Sequence, residues 1–181
     1  LLWPEKGKNN TDQTIETAIK KARQLGIKYI VVASNSGWTA EKLLGKGFEV
    51  VCVTHHVGFE GPGIDEMPPE MRRKLQDQGV KVLTTTHLFA GLDRAVRNKF
   101  GGVYPAEIMA QTLRMFGQGV KVGVEVAGMA LDAGLIPYGV DVVAIGGTGE
   151  GADAAIVIRP AHSNKFFDTV IKEIICMPRE K

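Results

Sequence analysis

Five short runs, "IKYIVVAS", "FEVVCVT", "VKVLTTT", "VDVVAI" and "AAIVIR", constrain the fold of this chain more than any other feature. They are strand-length and rich in β-branched residues, and most are apolar throughout rather than alternating, the pattern of strands buried on both faces of a sheet. Helical periods separate most of them. From Asp12 to Leu25 the apolar positions Ile15, Ala18, Ile19, Ala22 and Leu25 recur at three and four, with Thr11 placed to cap the start and Gly26 to end the helix. Residues 40–44 suit a short helix stopped by Gly45 and Gly47, and another helix is expected from about Pro69 to Gln78.

Residues 86–140 hold no convincing apolar strand. "PAEIMAQTLRMF" reads as a helix with Pro105 in its first turn. "GVKVGVEVAGMALDAG" fits two templates: Val120, Val122, Val124 and Val126 alternate, whereas Val122, Val126, Met129, Ala130 and Ala133 share one helical face. Its length and Ala-rich second half favour helix. A last helix is expected over Phe166 to Ile175. Strands alternating with helices imply a three-layer α/β/α fold. The loop between "VDVVAI" and "AAIVIR" is too short for a crossover helix, so the fifth strand is expected antiparallel to the others.

A chain of 181 residues suits a single domain. Its 22 Lys and Arg against 20 Asp and Glu are interspersed, which leaves no electrostatic footprint for nucleic acid or anionic lipid and points to a small ligand. Cys52 and Cys176 show neither CxxC spacing nor a disulfide framework, so they read as buried thiols of a reducing compartment. No apolar stretch approaches the roughly 20 residues of a membrane helix. The chain therefore reads as cytoplasmic, and its oligomeric state is left open.

Sheets of this class bind ligands at the carboxyl ends of their strands. The polar clusters "SNSGWT", "THH", "TTTH" and "GGTGEG" fall there. If a helix begins near Trp38, the amides of Ser36, Gly37, Trp38 and Thr39 and the hydroxyls of Ser34, Ser36 and Thr39 suit a phosphate. Spacing alone fits Ser36 or Thr39 equally well as a plain helix cap. Gly147, Gly149 and Ala152 match the G-x-G-x-x-A spacing of a dinucleotide fingerprint, but no helix follows, so the fingerprint fails on context. Four glycines in those six residues still exceed what a turn needs, and they suit close approach to a flat ligand.

His55 and His56 are neighbours in an extended segment and face opposite ways, so one histidine, from this pair or His87, is expected to touch a ligand. A metal would need a third ligand such as Glu60 or Asp65, and the spacing matches no established zinc pattern. Lys121 and Glu125, four apart, read as a surface pair. Asp153 suits either a ligand hydroxyl or the turn, and Asn10 and Thr11 suit either a phosphate or the first helix cap. No nucleophile stands in a recognisable catalytic setting.

"YIVVASNSGWTAEKLL" with "FEVVCVT" resembles the C-terminal domain of pyruvate kinase, where a strand enters a Thr-x-Ser-Gly-x-Ser/Thr loop, and "GLIPYGVDVVAIGGTGEG" resembles its later glycine loop. In that family the two loops hold a sugar bisphosphate. Across "NNTDQT", "VTHHVGF" and "TLRMFGQGVKVGVEVAGMALDAGLI" the chain is similar to stand-alone pyruvate kinase α/β-domain-like proteins. That resemblance implies a five-stranded mixed sheet in the order 3-2-1-4-5 with the last strand antiparallel. It also implies flavin mononucleotide (FMN) as ligand, without implying a reaction.

On that resemblance Ser34, Asn35, Ser36, Gly37, Trp38 and Thr39 would hold the phosphate. Thr54, His55, Thr86, His87, Gly146, Gly147, Thr148 and Gly149 would surround the ring. Trp38 stands where the kinase often carries Arg or Lys, which argues against a second phosphate. The competing expectations are an effector-sensing module for a sugar phosphate or nucleotide and, third, a metal-assisted hydrolase on His55 and His87.

Overall fold

The computed structural model describes residues 1–180. In chain order the elements are β1 (Leu2–Trp3), α1 (Thr11–Leu25), β2 (Tyr29–Ala33), α2 (Trp38–Glu41), β3 (Glu49–Val53), α3 (Pro69–Asp77) and β4 (Lys81–Leu83). Then follow α4 (Leu92–Phe100), α5 (Pro105–Arg114), α6 (Gln118–Asp132), β5 (Val142–Gly146), β6 (Ala154–Arg159) and β7 (Val170–Pro178). Short 3-10 turns cover Lys8–Asn10 and Ser163–Asp168.

The strands form one mixed sheet of seven, ordered β1-β7-β6-β5-β2-β3-β4. Its part β4-β3-β2-β5-β6 is the expected 3-2-1-4-5 arrangement, parallel except for β6. The expected five strands are too few because residues 170–178 form β7, not a helix, antiparallel to β6, and β1 pairs with it. Val170, Ile171, Ile174 and Ile175 are β-branched and favour strand, and β6 would otherwise present an unpaired edge. Helix α4 is a further element that the sequence reading missed.

The period of two in β2 distributes the core between both faces. Ile30 and Val32 join Ile15, Ala18, Ile19 and Ala22 of α1, while Val31 joins Val120, Val124, Ala127 and Leu131 of α6. This three-layer packing explains why the central strands are uniformly apolar. Helix α6 lies close to β5 because glycines face each other there: a Cβ on Gly146 would overlap the Gly119 carbonyl and stand 3.0 Å from the Gly123 amide nitrogen. Its valines and glycines are helical, as their length suggested.

Gly26 ends α1 in the left-handed conformation. Thr11 does not cap α1: its Oγ1 donates to the Lys8 carbonyl and accepts from the Ala152 amide. Cys52 and Cys176 are both buried and unpaired, and burial pushes the Cys52 thiol up to about 12. No helix among the described residues is long and apolar enough to cross a membrane.

Candidate functional site

The carboxyl ends of β2, β3 and β5 open into a cavity of about 700 Å³. Its walls come from the loop after β2, the loop after β3, helices α4 to α6, and the glycine loop between β5 and β6. Lys8 ties two of these together. Its Nζ lies 2.9 Å from Glu150 in the glycine loop and 4.8 Å from the Trp38 ring, so segments over a hundred residues apart share one mouth.

In the first loop, Ser34 Oγ accepts from the amides of Thr39 at 3.1 Å and Ala40 at 3.3 Å. Ser34 therefore acts as the cap that the spacing assigned to Ser36 or Thr39. The amides of Ser36, Gly37 and Trp38 carry no hydrogen bond within the described residues and remain available. Helix α2 spans only four residues, so the amides and hydroxyls, rather than a long dipole, would hold an anion. Gly37 has φ 88°, and a Cβ there would collide with the Met71 side chain. Its role is to let the loop turn against α3.

At the end of β3, Asn35 Oδ1 accepts from the His55 amide at 3.0 Å, which fixes its Nδ2 as donor to His55 Nε2 at 3.2 Å. The His55 proton then sits on Nδ1, 2.7 Å from Glu66. The ring stacks on Phe59 with centroids 3.7 Å apart, and His87 is 5.4 Å away. His87 Nε2 donates to the Thr54 carbonyl at 3.2 Å. Burial lowers the His87 pKa, opposed by Glu125 and the Thr54 bond and helped by the Lys121 charge, so His87 is neutral at pH 7.

His55, Glu60 and Glu66 bring ligand atoms within 4.8 Å of one another, a spacing that suits a cation. The Asn35 amide opposes it. A metal on His55 Nδ1 would force the proton to Nε2, against the Asn35 donor.

Lys121 and Glu125 do not form a surface pair. Both are buried on the cavity wall, where Lys121 Nζ bonds Glu125 Oε2 while Oε1 accepts from the Phe89 amide at 2.8 Å. Burial lowers the Lys121 pKa, the Glu125 carboxylate opposes that shift, and the charges of Arg114 and Arg94 add to it. The sequence held a signal here: the residues around this pair are almost all apolar or Gly, as in a helix buried all round.

Of the residues expected at the site, Ser34, Asn35, Ser36, Trp38, Thr39, Thr54, His55, His87, Gly147 and Gly149 line the cavity. Gly37, Thr86, Gly146 and Thr148 do not, and Gly146 instead faces α6. Asp153 is fully buried and holds the Gly7 amide at 2.8 Å, while Asn10 bonds the carbonyls of Glu5 and Gly7. These residues strap the N-terminal segment to the glycine loop rather than reach a ligand. Lys8, Phe59, Glu66, Arg94, Arg114 and Gln118 also line the cavity; Phe59, Arg114 and Gln118 lie in stretches that carry the family resemblance, but the sequence singles out none of the six.

The family model described as pyruvate kinase, alpha/beta domain, matches residues 12–158. A solved structure of Cryptosporidium parvum pyruvate kinase in complex with ADP is similar at 15% identity and a TM-score of 0.41. That match covers 93% of this chain and 24% of the other, so the chain spans about a quarter of that kinase.

Proposed function

The chain belongs to the pyruvate kinase alpha/beta domain family, and from that premise we propose that it binds a phosphorylated small molecule at the carboxyl ends of β2, β3 and β5. One observation carries this reading: the loop with unbonded amides at Ser36, Gly37 and Trp38 opens onto the same cavity as the glycine loop. The cavity volume lies within the roughly 300–1,000 Å³ of small-molecule sites.

Within that class the proposed ligand is FMN. The stacked His55 and Phe59 rings and the exposed backbone of Gly147 and Gly149 offer surfaces to a flat ring, and the first loop offers donors to one phosphate. A bound flavin would supply redox chemistry. Titration followed by flavin fluorescence is expected to show FMN binding at least tenfold tighter than riboflavin, about 1.4 kcal/mol. Ser36→Ala combined with Thr39→Ala should remove that difference while the fold survives. Equal affinity for the two flavins in the parent protein would defeat the phosphate assignment.

A second reading, an effector-sensing module without turnover, is favoured by the engagement of the acid–base groups. Glu66 is held by His55, Glu125 by Lys121 and Phe89, and His87 by Thr54. A thermal shift with fructose 1,6-bisphosphate and none with FMN would select it.

A further inference from the structure

The carboxylates on the cavity wall are matched by neighbouring groups: Glu150 by Lys8, Glu125 by Lys121 and Glu66 by His55. Arg94 and Arg114 are not. Among the described residues neither guanidinium has a carboxylate partner, and Arg114 is held through its Nε, 2.6 Å from Gln118 Oε1. The other arginines withdrawn from solvent or placed near acids differ: half-buried Arg72 pairs with Asp65, Arg97 with Glu107 and Arg159 with Asp141. The remaining arginines, Arg23, Arg73 and Arg179, are exposed. Arg94 and Arg114 are thus the half-buried arginines left uncompensated, and both project into one cavity.

A guanidinium that is partly desolvated without a counter-ion loses hydration and gains nothing in return. Planar donors of this kind match carboxylate or phosphate oxygens, often two bonds at a time. Lys121 does not fill that role, because Glu125 already neutralises it; both arginines lie near enough to oppose its charge.

We propose that Arg94 of α4 and Arg114 of α5 form an anion subsite on the helical wall, separate from the Ser34–Thr39 loop, so that the cavity takes a ligand with a second anionic group, which sides with the effector-sensing reading over FMN and its single phosphate. The inference rests on the cavity being the ligand site, but not on the first loop gripping phosphate.

Calorimetric titration with matched ligands tests it. 6-Phosphogluconate and glucitol 6-phosphate differ by a terminal carboxylate, and fructose 1,6-bisphosphate and fructose 6-phosphate differ by a phosphate. In at least one pair the second anion is expected to tighten binding tenfold or more, and which pair responds identifies a carboxylate or a phosphate as its preferred group. Arg94→Gln combined with Arg114→Gln should abolish that gain and leave monophosphate affinity within twofold, with folding checked by circular dichroism. No gain in either pair, or a gain that survives both substitutions, overturns the subsite. Gluconate binding that depends on the arginines, with no binding of any monophosphate, would support the subsite and defeat the phosphate loop instead.

Discussion

The two ends of the sheet enclose cavities of similar size, about 700 Å³ at the carboxyl ends and about 730 Å³ at the amino ends. Size does not distinguish them; charge does. At the amino end Asp141 pairs with Arg159 at 2.8 Å and Lys172 at 2.9 Å, and nearby Glu173 pairs with Lys21 at 2.8 Å. Those charges satisfy one another on a solvated rim. At the carboxyl end one ion pair is buried and, among the described residues, two arginines lack carboxylates and backbone amides are unbonded. A surface evolved only for stability has no need to leave donors unmatched, and this contrast is what supports placing the proposed ligand at the carboxyl end.

The largest expected effect that tests this contrast is at the buried pair. Glu125→Gln keeps an acceptor for the Phe89 amide but leaves Lys121 buried and unpaired, and should cost about 3–5 kcal/mol in urea denaturation. Asp141→Asn, among partly exposed partners, should cost no more than about 1 kcal/mol. Equal losses would mean that the two ends are not electrostatically different.

A smaller effect is expected at Gly37. Gly37→Ala imposes a strained φ and a clash with Met71, for a loss of about 1–3 kcal/mol. It should also weaken ligand binding, because the loop's amides would shift. An alanine variant with parent stability and affinity would show that the loop tolerates another path.

The smallest effect concerns acid. Burial pushes the Asp141 carboxyl up, but hydrogen bonds and charges from Lys172 and Arg159 outweigh it and hold the pKa below the ordinary 3.8. The stability from Asp141 is therefore full above that value and is lost as pH falls through the folded pKa. Asp141→Asn should lose that increment at pH 7, no more than about 1 kcal/mol, and flatten the stability profile below about pH 4, where the parent loses it as well. A profile unaltered in acid would remove Asp141 from the account of the amino end.

Local pattern revealed the central strands and the loops that follow them, because uniform apolar runs and glycine stops are consequences of burial on two faces; their order was implied by the family resemblance. It failed where pairing decides. Residues 166–175 look helical in length, yet β6 needs a neighbour and β-branched side chains supply one. At Lys121 and Glu125 the spacing of four showed that they pair but not that they are buried, which depends on the sheet beneath α6. Arg94 belongs to no motif and Arg114, though inside the stretch "TLRMFGQG", takes no role from it; only the packing of α4 and α5 places them in the cavity.

The strap between the N-terminal segment and the glycine loop has a kinetic consequence. Gly7 meets Asp153 across 146 positions of chain, and Thr11 meets Ala152 across 141. Contacts of such sequence separation carry a large loop-closure entropy and raise contact order, so they form late in folding. The mouth of the cavity is therefore expected among the later features to assemble in folding. A ligand that spans both loops would act as a clamp on the finished fold, raising its stability in proportion to the logarithm of ligand concentration once the site is saturated.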